Sequence, residues 1–190
     1  MNDVMIDLET LGQEAGAVIT SISAVKFNII TGETGEEFSQ AITLKSSLEY
    51  GLSIDPDTVM WWMQQGDDSR NKLVLDNANA KHLSSVLYAF AFWLVEGDKS
   101  GGGVKLINDN IQVWGRGPRF ECALLSAAYK VGGYNRTPWN FRNERCVRTI
   151  EMFNPKLKKN TPFIGILHNG IDDAKHQIKY VSSIYRQLIN

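Results

Sequence analysis

The order of apolar and polar positions divides the chain into a sheet-forming first third and a helix-rich remainder. Val4–Asp7 is a short apolar run that ends in polar residues. Val18 to Ile29 is rich in β-branched residues with partial alternation at Ile22, Ala24 and Phe27, the pattern of a strand. Ile29-Ile30-Thr31-Gly32-Glu33-Thr34-Gly35 reads as a hairpin turn into a third strand over Glu36–Leu44, so three antiparallel strands are expected. The period then changes. Asp55 is placed to cap a helix that has Pro56 at its first position, and Val59–Met63 continues it. From Ala80 to Glu96, Leu83, Val86, Leu87, Phe90 and Leu94 recur at three- and four-residue spacing, which predicts an amphipathic helix.

Gly97–Gly103 breaks that helix. It holds no GxxxxGK[ST] arrangement, so it reads as a flexible connector and not as a phosphate cradle. Gln112–Trp114 predicts a strand, Gly115–Pro118 a turn, and Phe120–Lys130 a helix stopped by Gly132-Gly133. A shorter helix is expected around Val147–Phe153 and a final one over Asp172–Leu188. There is no internal repeat, and the fold class is α/β.

At 190 residues, with 43% hydrophobic and 22% charged content, the chain suits one domain, 1–190, with a real core. No apolar run approaches the roughly 20 residues of a bilayer span. The start, Met-Asn-Asp-Val-Met-Ile-Asp, lacks a basic region, so no signal peptide is expected. Cys122 and Cys146 read as free thiols, which fits a cytoplasmic protein. Net charge is −1, but Arg116–Lys159 holds ten basic residues against three acidic ones. The remainder holds ten against eighteen. A basic segment on an acidic body suits local attraction of nucleic acid, and the alternative is arginines scattered on a solvated face.

Two short segments carry the chemistry. Asp7-Leu8-Glu9-Thr10 sets two carboxylates on one side of an extended run, and His168-Asn169-Gly170-Ile171-Asp172-Asp173 sets an imidazole and a carboxylate at the mouth of a helix. Hard divalent cations take clustered oxygens, and a histidine beside them can accept a proton from water. That inventory points to a metal-dependent phosphodiesterase. A mononuclear site from His168, Asp173 and His176 is the alternative, but it leaves Asp7 and Glu9 idle and is short of nitrogen or sulfur ligands. Trp61, Trp62 and Trp93 fit a core. Trp61 and Trp62 point about 100° apart, so one is free to line a cleft for a nucleobase, and Trp62 is the candidate.

With Asp-x-Glu ending the first strand, Phe120-Glu121 opening a mid-chain helix and His-x4-Asp opening the last, the chain resembles the DEDDh exonucleases. These form the DnaQ-like branch of the RNase H-like fold, which includes polymerase proofreading subunits and oligoribonuclease. The motifs run in the family's order from residue 7 to residue 173. Asp57-Thr58-Val59-Met60-Trp61-Trp62 and the run Val113–Glu121 are similar to the phage and prophage exonuclease VIII-like subgroup, itself similar to adenylate-preferring ribonucleases.

The resemblance implies an RNase H-like mixed central sheet with helices on both sides. It also implies two divalent cations, Mg²⁺ or Mn²⁺, held by Asp7, Glu9, Glu121 and Asp173, with His168 as general base. Thr10, Leu11 and Gly12 would receive the 3′-terminal nucleotide, Leu11 as a wedge, and Arg116 and Arg119 would contact phosphates. The implied activity is 3′→5′ release of nucleoside 5′-monophosphates from single-stranded DNA or RNA, with a homodimer as the implied assembly. Asp172 points away from Asp173 on the helix and is expected to cap it.

One position departs from the family. Glu121 stands where Asp is usual, an arm longer by roughly 1.5 Å, and Mg²⁺ demands near-octahedral geometry. The expectation is reduced or Mn²⁺-biased activity. Glu121 also suits a helix N-terminus on charge alone. The reading from another class is a degenerate nuclease fold kept for binding nucleic acid or a partner. The intact Asp7, Glu9, His168 and Asp173 set stands against it.

Overall fold

In a computed structural model, residues 1–95, 107–117 and 119–190 are described. The expected connector Gly97–Gly103 and Pro118 of the expected turn lie outside the described residues. The three N-terminal strands are antiparallel neighbours: β1 (Asp3–Thr10), β2 (Ile19–Phe27) and β3 (Thr34–Ala41). Asn28 closes the β2–β3 turn, its Oδ1 accepting from the backbone N–H of Ile30 and Thr31. Beyond β1 lie β4 (Gln112–Gly115) and then β5 (Glu144–Cys146), each parallel to its neighbour. The sheet is therefore mixed, in the order β3-β2-β1-β4-β5, with β1 central.

The helices are α1 (Leu44–Glu49), α2 (Pro56–Met63), α3 (Asp67–Ala78), α4 (Leu83–Val95), α5 (Glu121–Val131), α6 (Val147–Glu151), α7 (Pro155–Asn160) and α8 (Gly170–Ile189). Asp55 caps α2 as its position predicts. No expectation covered α1, α3 or α7. The reason is clearest in α3, which is polar almost all round and buries only Ser69. Its surface pairs, Arg70–Asp67 and Lys72–Asp76, run along the helix, and no apolar period marks it.

Helix α8 begins two residues earlier than expected, and its cap is Asn169, whose side chain accepts from the Ile171 N–H. Asp172 therefore does not cap it. A cap must precede the first turn to reach the free N–H groups, and Asp172 already lies inside that turn. Its Oδ2 instead accepts from the Ile166 N–H at 2.9 Å.

Helices cover both faces of the sheet. Val4, Ile6 and Leu8 of β1 pack with Leu83, Val86, Leu87 and Phe90 of α4 and with Leu124, Leu125 and Ala128 of α5. On the opposite face Met5 packs with Val25 and Phe27 of β2 and with Ala174, Ile178, Val181 and Ile184 of α8. Each buried Val, Leu or Ile contributes about 1.5–3 kcal/mol, so these rows hold α8 firmly on the sheet. Residues 5, 7 and 9 share that face by the two-residue period of a strand. The row thus turns from apolar Met5 to acidic Asp7 and Glu9 as it leaves the core. Cys122 and Cys146 are both free. Among the described residues no helix is long and apolar enough to cross a membrane.

Candidate active site

The two carboxylates of β1 pair in register with small residues of β2, Asp7 with Ser23 and Glu9 with Ser21. Space above them is kept by Gly170, the first residue of α8. A Cβ there would lie 2.6 Å from the Ser23 Cβ and 3.3 Å from Asp7 Oδ2, so only glycine lets the helix approach. One turn on comes Asp173, and four residues later Gln177, on the same stripe. Gln177 Nε2 donates to Asp7 Oδ1 at 3.1 Å. His168 precedes the helix with φ 63°, in the left-handed region. The ligand atoms of Glu9, His168 and Asp173 all lie within 4.8 Å of one another. The rings of Trp61 and Trp62 meet the imidazole edge-on, with centroids 5.3 and 5.7 Å away.

Crowding sets the electrostatics. Burial, then the charges of Asp173 and Glu121, push the Asp7 carboxyl well above its ordinary range. Burial, then Asp7 and Asp173, do the same to Glu9. Burial also raises Asp173, with His168 acting in the opposite direction. The nearby protein cations are Arg116, whose charge reaches Asp7 and Asp173, and Lys72, whose charge reaches Glu9. Neither is enough to bring these carboxyls back to their ordinary range. Converging hard oxygens with an imidazole, short of positive charge, fit a divalent cation.

Glu121 opens α5 and is 2% exposed. Its carboxylate accepts from the Arg116 N–H through Oε1 and the Gly117 N–H through Oε2, both at 3.1 Å. The extra methylene is spent in folding back onto that turn. Glu121 lies outside the 4.8 Å group, although its charge bears on Asp7. Burial raises its carboxyl, against those two amide bonds and the charge of Arg148. Arg116 and Arg119 are exposed, and among the described residues neither forms an ion pair.

Thr10, Leu11 and Gly12 are buried where β1 ends. Thr10 Oγ1 donates to the Gly12 carbonyl at 2.8 Å, and the Leu11 N–H donates to the Val18 carbonyl. The Trp62 indole N–H donates to the Thr10 carbonyl at 2.9 Å. Trp62 is 5% exposed and belongs to the core, whereas Trp61, at 44%, keeps a face open. His176 packs against Phe163 and Tyr180, outside the Glu9–His168–Asp173 group.

Sequence reasoning missed Gln177, Gly170, Ser69 and Lys72. Gln177 was legible, since it follows Asp173 by four residues on a helix. Ser69, whose Oγ donates to the Leu167 carbonyl at 3.1 Å, and Lys72 lie on α3, which left no periodic signal.

Solved structures share this fold. The nuclease domain of 3′hExo, described as a DEDDh family member and bound to rAMP, superposes with a TM-score of 0.64 at 15% identity, over 97% of this chain and 92% of that one. E. coli exonuclease I in complex with a dT13 oligonucleotide gives 0.65 at 10% identity, over 98% of this chain and 42% of that one. Cell-death related nuclease 4 (CRN-4) gives 0.60 at 13% identity, over 99% of this chain, which spans 63% of its length. The mixed sheet flanked by helices is thus the RNase H-like exonuclease fold. No curated protein matches the sequence. Residues 2–185 match the 3′-5′ exoribonuclease Rv2179c-like domain, and the chain belongs to that family of 3′-5′ exonucleases.

Proposed function

We propose that the protein removes nucleotides from the 3′ end of single-stranded RNA, releasing nucleoside 5′-monophosphates. The convergence of Glu9, His168 and Asp173 within 4.8 Å, with the half-buried Asp7 on the same strand face as Glu9 but outside that group, is the observation that carries this reading. The description of the matching family as a 3′-5′ exoribonuclease supports RNA as the substrate. Asp7, Glu9 and Asp173 would hold two divalent cations, Mg²⁺ or Mn²⁺, which when bound acidify water and neutralise charge on the leaving oxygen. His168 accepts the proton of the attacking water at a ring nitrogen. The water oxygen bonds to phosphorus, the bond to the 3′ oxygen breaks, and that oxygen takes a proton from solvent to become the shortened 3′ hydroxyl, while His168 returns its proton to solvent. No nucleophilic side chain is needed.

The exposed guanidinium of Arg116 neutralises phosphate oxygens beside the carboxylates, with Arg119 following on the same turn. Thr10, Leu11 and Gly12 form the floor under the terminal nucleotide. Trp62 supports that floor through the Thr10 carbonyl, and its open neighbour Trp61 offers the stacking face. Glu121 would act on a second cation only at a distance, since its carboxylate is engaged by two backbone amides. The finer placement in the exonuclease VIII-like subgroup rests on residues 57–62 and 113–121 alone. A second copy of the chain would pack on the exposed Met60, Met63, Val74 and Leu75, and light scattering at twice the 21.3 kDa chain mass identifies that homodimer.

The test uses 5′-labelled single-stranded RNA and DNA of matched sequence with Mg²⁺, Mn²⁺ or chelator. A metal-dependent ladder shortening from the 3′ end of RNA, absent in Asp7→Ala and His168→Ala, is expected. Binding without cleavage of either strand by the wild-type protein refutes the reading in favour of a binding fold.

A further inference from the structure

We propose that Asp172 is a positioning residue, which holds the 165–168 loop so that the His168 imidazole stays beside Glu9 and Asp173. The inference rests on His168 being the general base.

His168 has φ 63°, a conformation that L side chains rarely adopt, so its neighbours must hold it there. The indoles of Trp61 and Trp62 touch the imidazole itself, but the loop before it has no apolar hold, since Ile164, Ile166 and Leu167 are all exposed. Polar anchors hold that loop instead. Asp172 Oδ2 accepts from the Ile166 N–H at 2.9 Å. The same carboxyl lies against Gly165, where φ is 125° and an added Cβ would fall 2.4 Å from Asp172 Cγ. From the other side Ser69 donates to the Leu167 carbonyl at 3.1 Å. Both residues that precede His168 are thereby fixed, and Asn169, which follows it, is committed to capping α8. Neighbouring residues of a helix diverge by about 100°, so Asp173 turns to the cluster while Asp172 turns to the loop. Adjacent carboxylates thus serve different ends.

The test compares Asp172→Ala and Asp172→Asn with His168→Ala and the Asp172→Ala/His168→Ala double variant. The substrate is a 5′-labelled oligoribonucleotide, with Mn²⁺ binding measured separately. A displacement of about 1 Å costs on the order of 10²-fold, and that is the loss of kcat expected for Asp172→Ala, with KM and Mn²⁺ affinity unchanged. Asp172→Asn keeps an oxygen that accepts the Ile166 N–H and recovers most of the rate. In the His168→Ala background, Asp172→Ala costs nothing further, because it acts through the imidazole. Gly165→Ala crowds the same contact from the loop side and gives the same pattern. Ser69→Ala, which frees the opposite anchor, keeps the test decisive if Asp172→Ala does not fold.

Full activity of Asp172→Ala beside an inactive His168→Ala overturns this proposal and leaves the general-base reading standing. So does an additive loss in the double variant, or a fall in Mn²⁺ affinity, which would put the effect on Asp173. Full activity of His168→Ala overturns the general-base reading and this proposal with it.

Discussion

Replacing Glu9 with glutamine should stabilise the metal-free protein while abolishing its activity. The ligand atoms of Glu9 and Asp173 lie within 4.8 Å, where two unit charges repel by about 3.5 kcal/mol at an effective dielectric of 20. Asp173 is partly open to water, and screening reduces this to about 1–2 kcal/mol. Glu9 is held well above its ordinary range by burial and then by Asp7 and Asp173, so the folded state binds the extra proton. Its contribution is full below the ordinary carboxylate value of about 4.3 and is lost as pH rises through the raised folded value. Without metal, the wild-type protein therefore loses stability as pH rises above the ordinary carboxylate range, and Glu9→Gln loses less. Each kcal/mol moves Tm by about 2–4 °C in a chain of this size, so the variant should melt about 2–8 °C higher at pH 8 in chelator. The gap should narrow toward pH 4. Saturating Mn²⁺ should reverse the order, because a ligand that binds only the folded state stabilises it in proportion to affinity. Thermal melts across pH, in chelator and in Mn²⁺, read both effects. A variant no more stable than wild type at pH 8 in chelator would refute the crowding argument. An equal Mn²⁺ shift in both proteins would remove Glu9 from the ligands.

Gly170→Ala should cost about 1–3 kcal/mol in denaturant unfolding and most of the activity, since its Cβ would sit 2.6 Å from the Ser23 Cβ and push α8 off β2. Arg116→Ala should reduce the slope of log KM against log salt by about 0.7, the value for one phosphate on a single strand, and an unchanged slope excludes that contact. Glu121→Asp should lose one or both amide bonds to Arg116 and Gly117, at about 1–3 kcal/mol in thermal melts, because the shorter arm no longer reaches the turn. If the longer arm is also what weakens the second cation, the same variant gains rate in Mg²⁺ relative to Mn²⁺.

The N-terminal sheet, the capped start of α2 and the long amphipathic α4 were legible because their signals are local. Alternation in β2, Asp55-Pro56 at a helix start, and Leu83, Val86, Leu87 and Phe90 on one stripe follow from the periods of strand and helix. Asp7 and Glu9 on one face of β1 are equally local. Polar α3, three-residue β5 and short α1 and α7 carry no such period, although Thr43 caps α1 and Asn154, with Pro155 after it, caps α7. The sequence also could not say which indole faces solvent. Trp62 is buried because its N–H meets the Thr10 carbonyl 52 residues away, and that leaves Trp61 open. The sequence set Asp172 apart from Asp173 but could not show that Asp172 holds the Ile166 N–H instead of capping α8, or that Glu121 turns back to Arg116 and Gly117. Residue types and spacing determined which chemical groups this protein owns and which face of its own element each occupies. Which groups meet was decided by the packing of α8 across β1 and β2, because distances between residues as far apart in the chain as Asp7 and Gln177, 170 positions, are set by that packing alone.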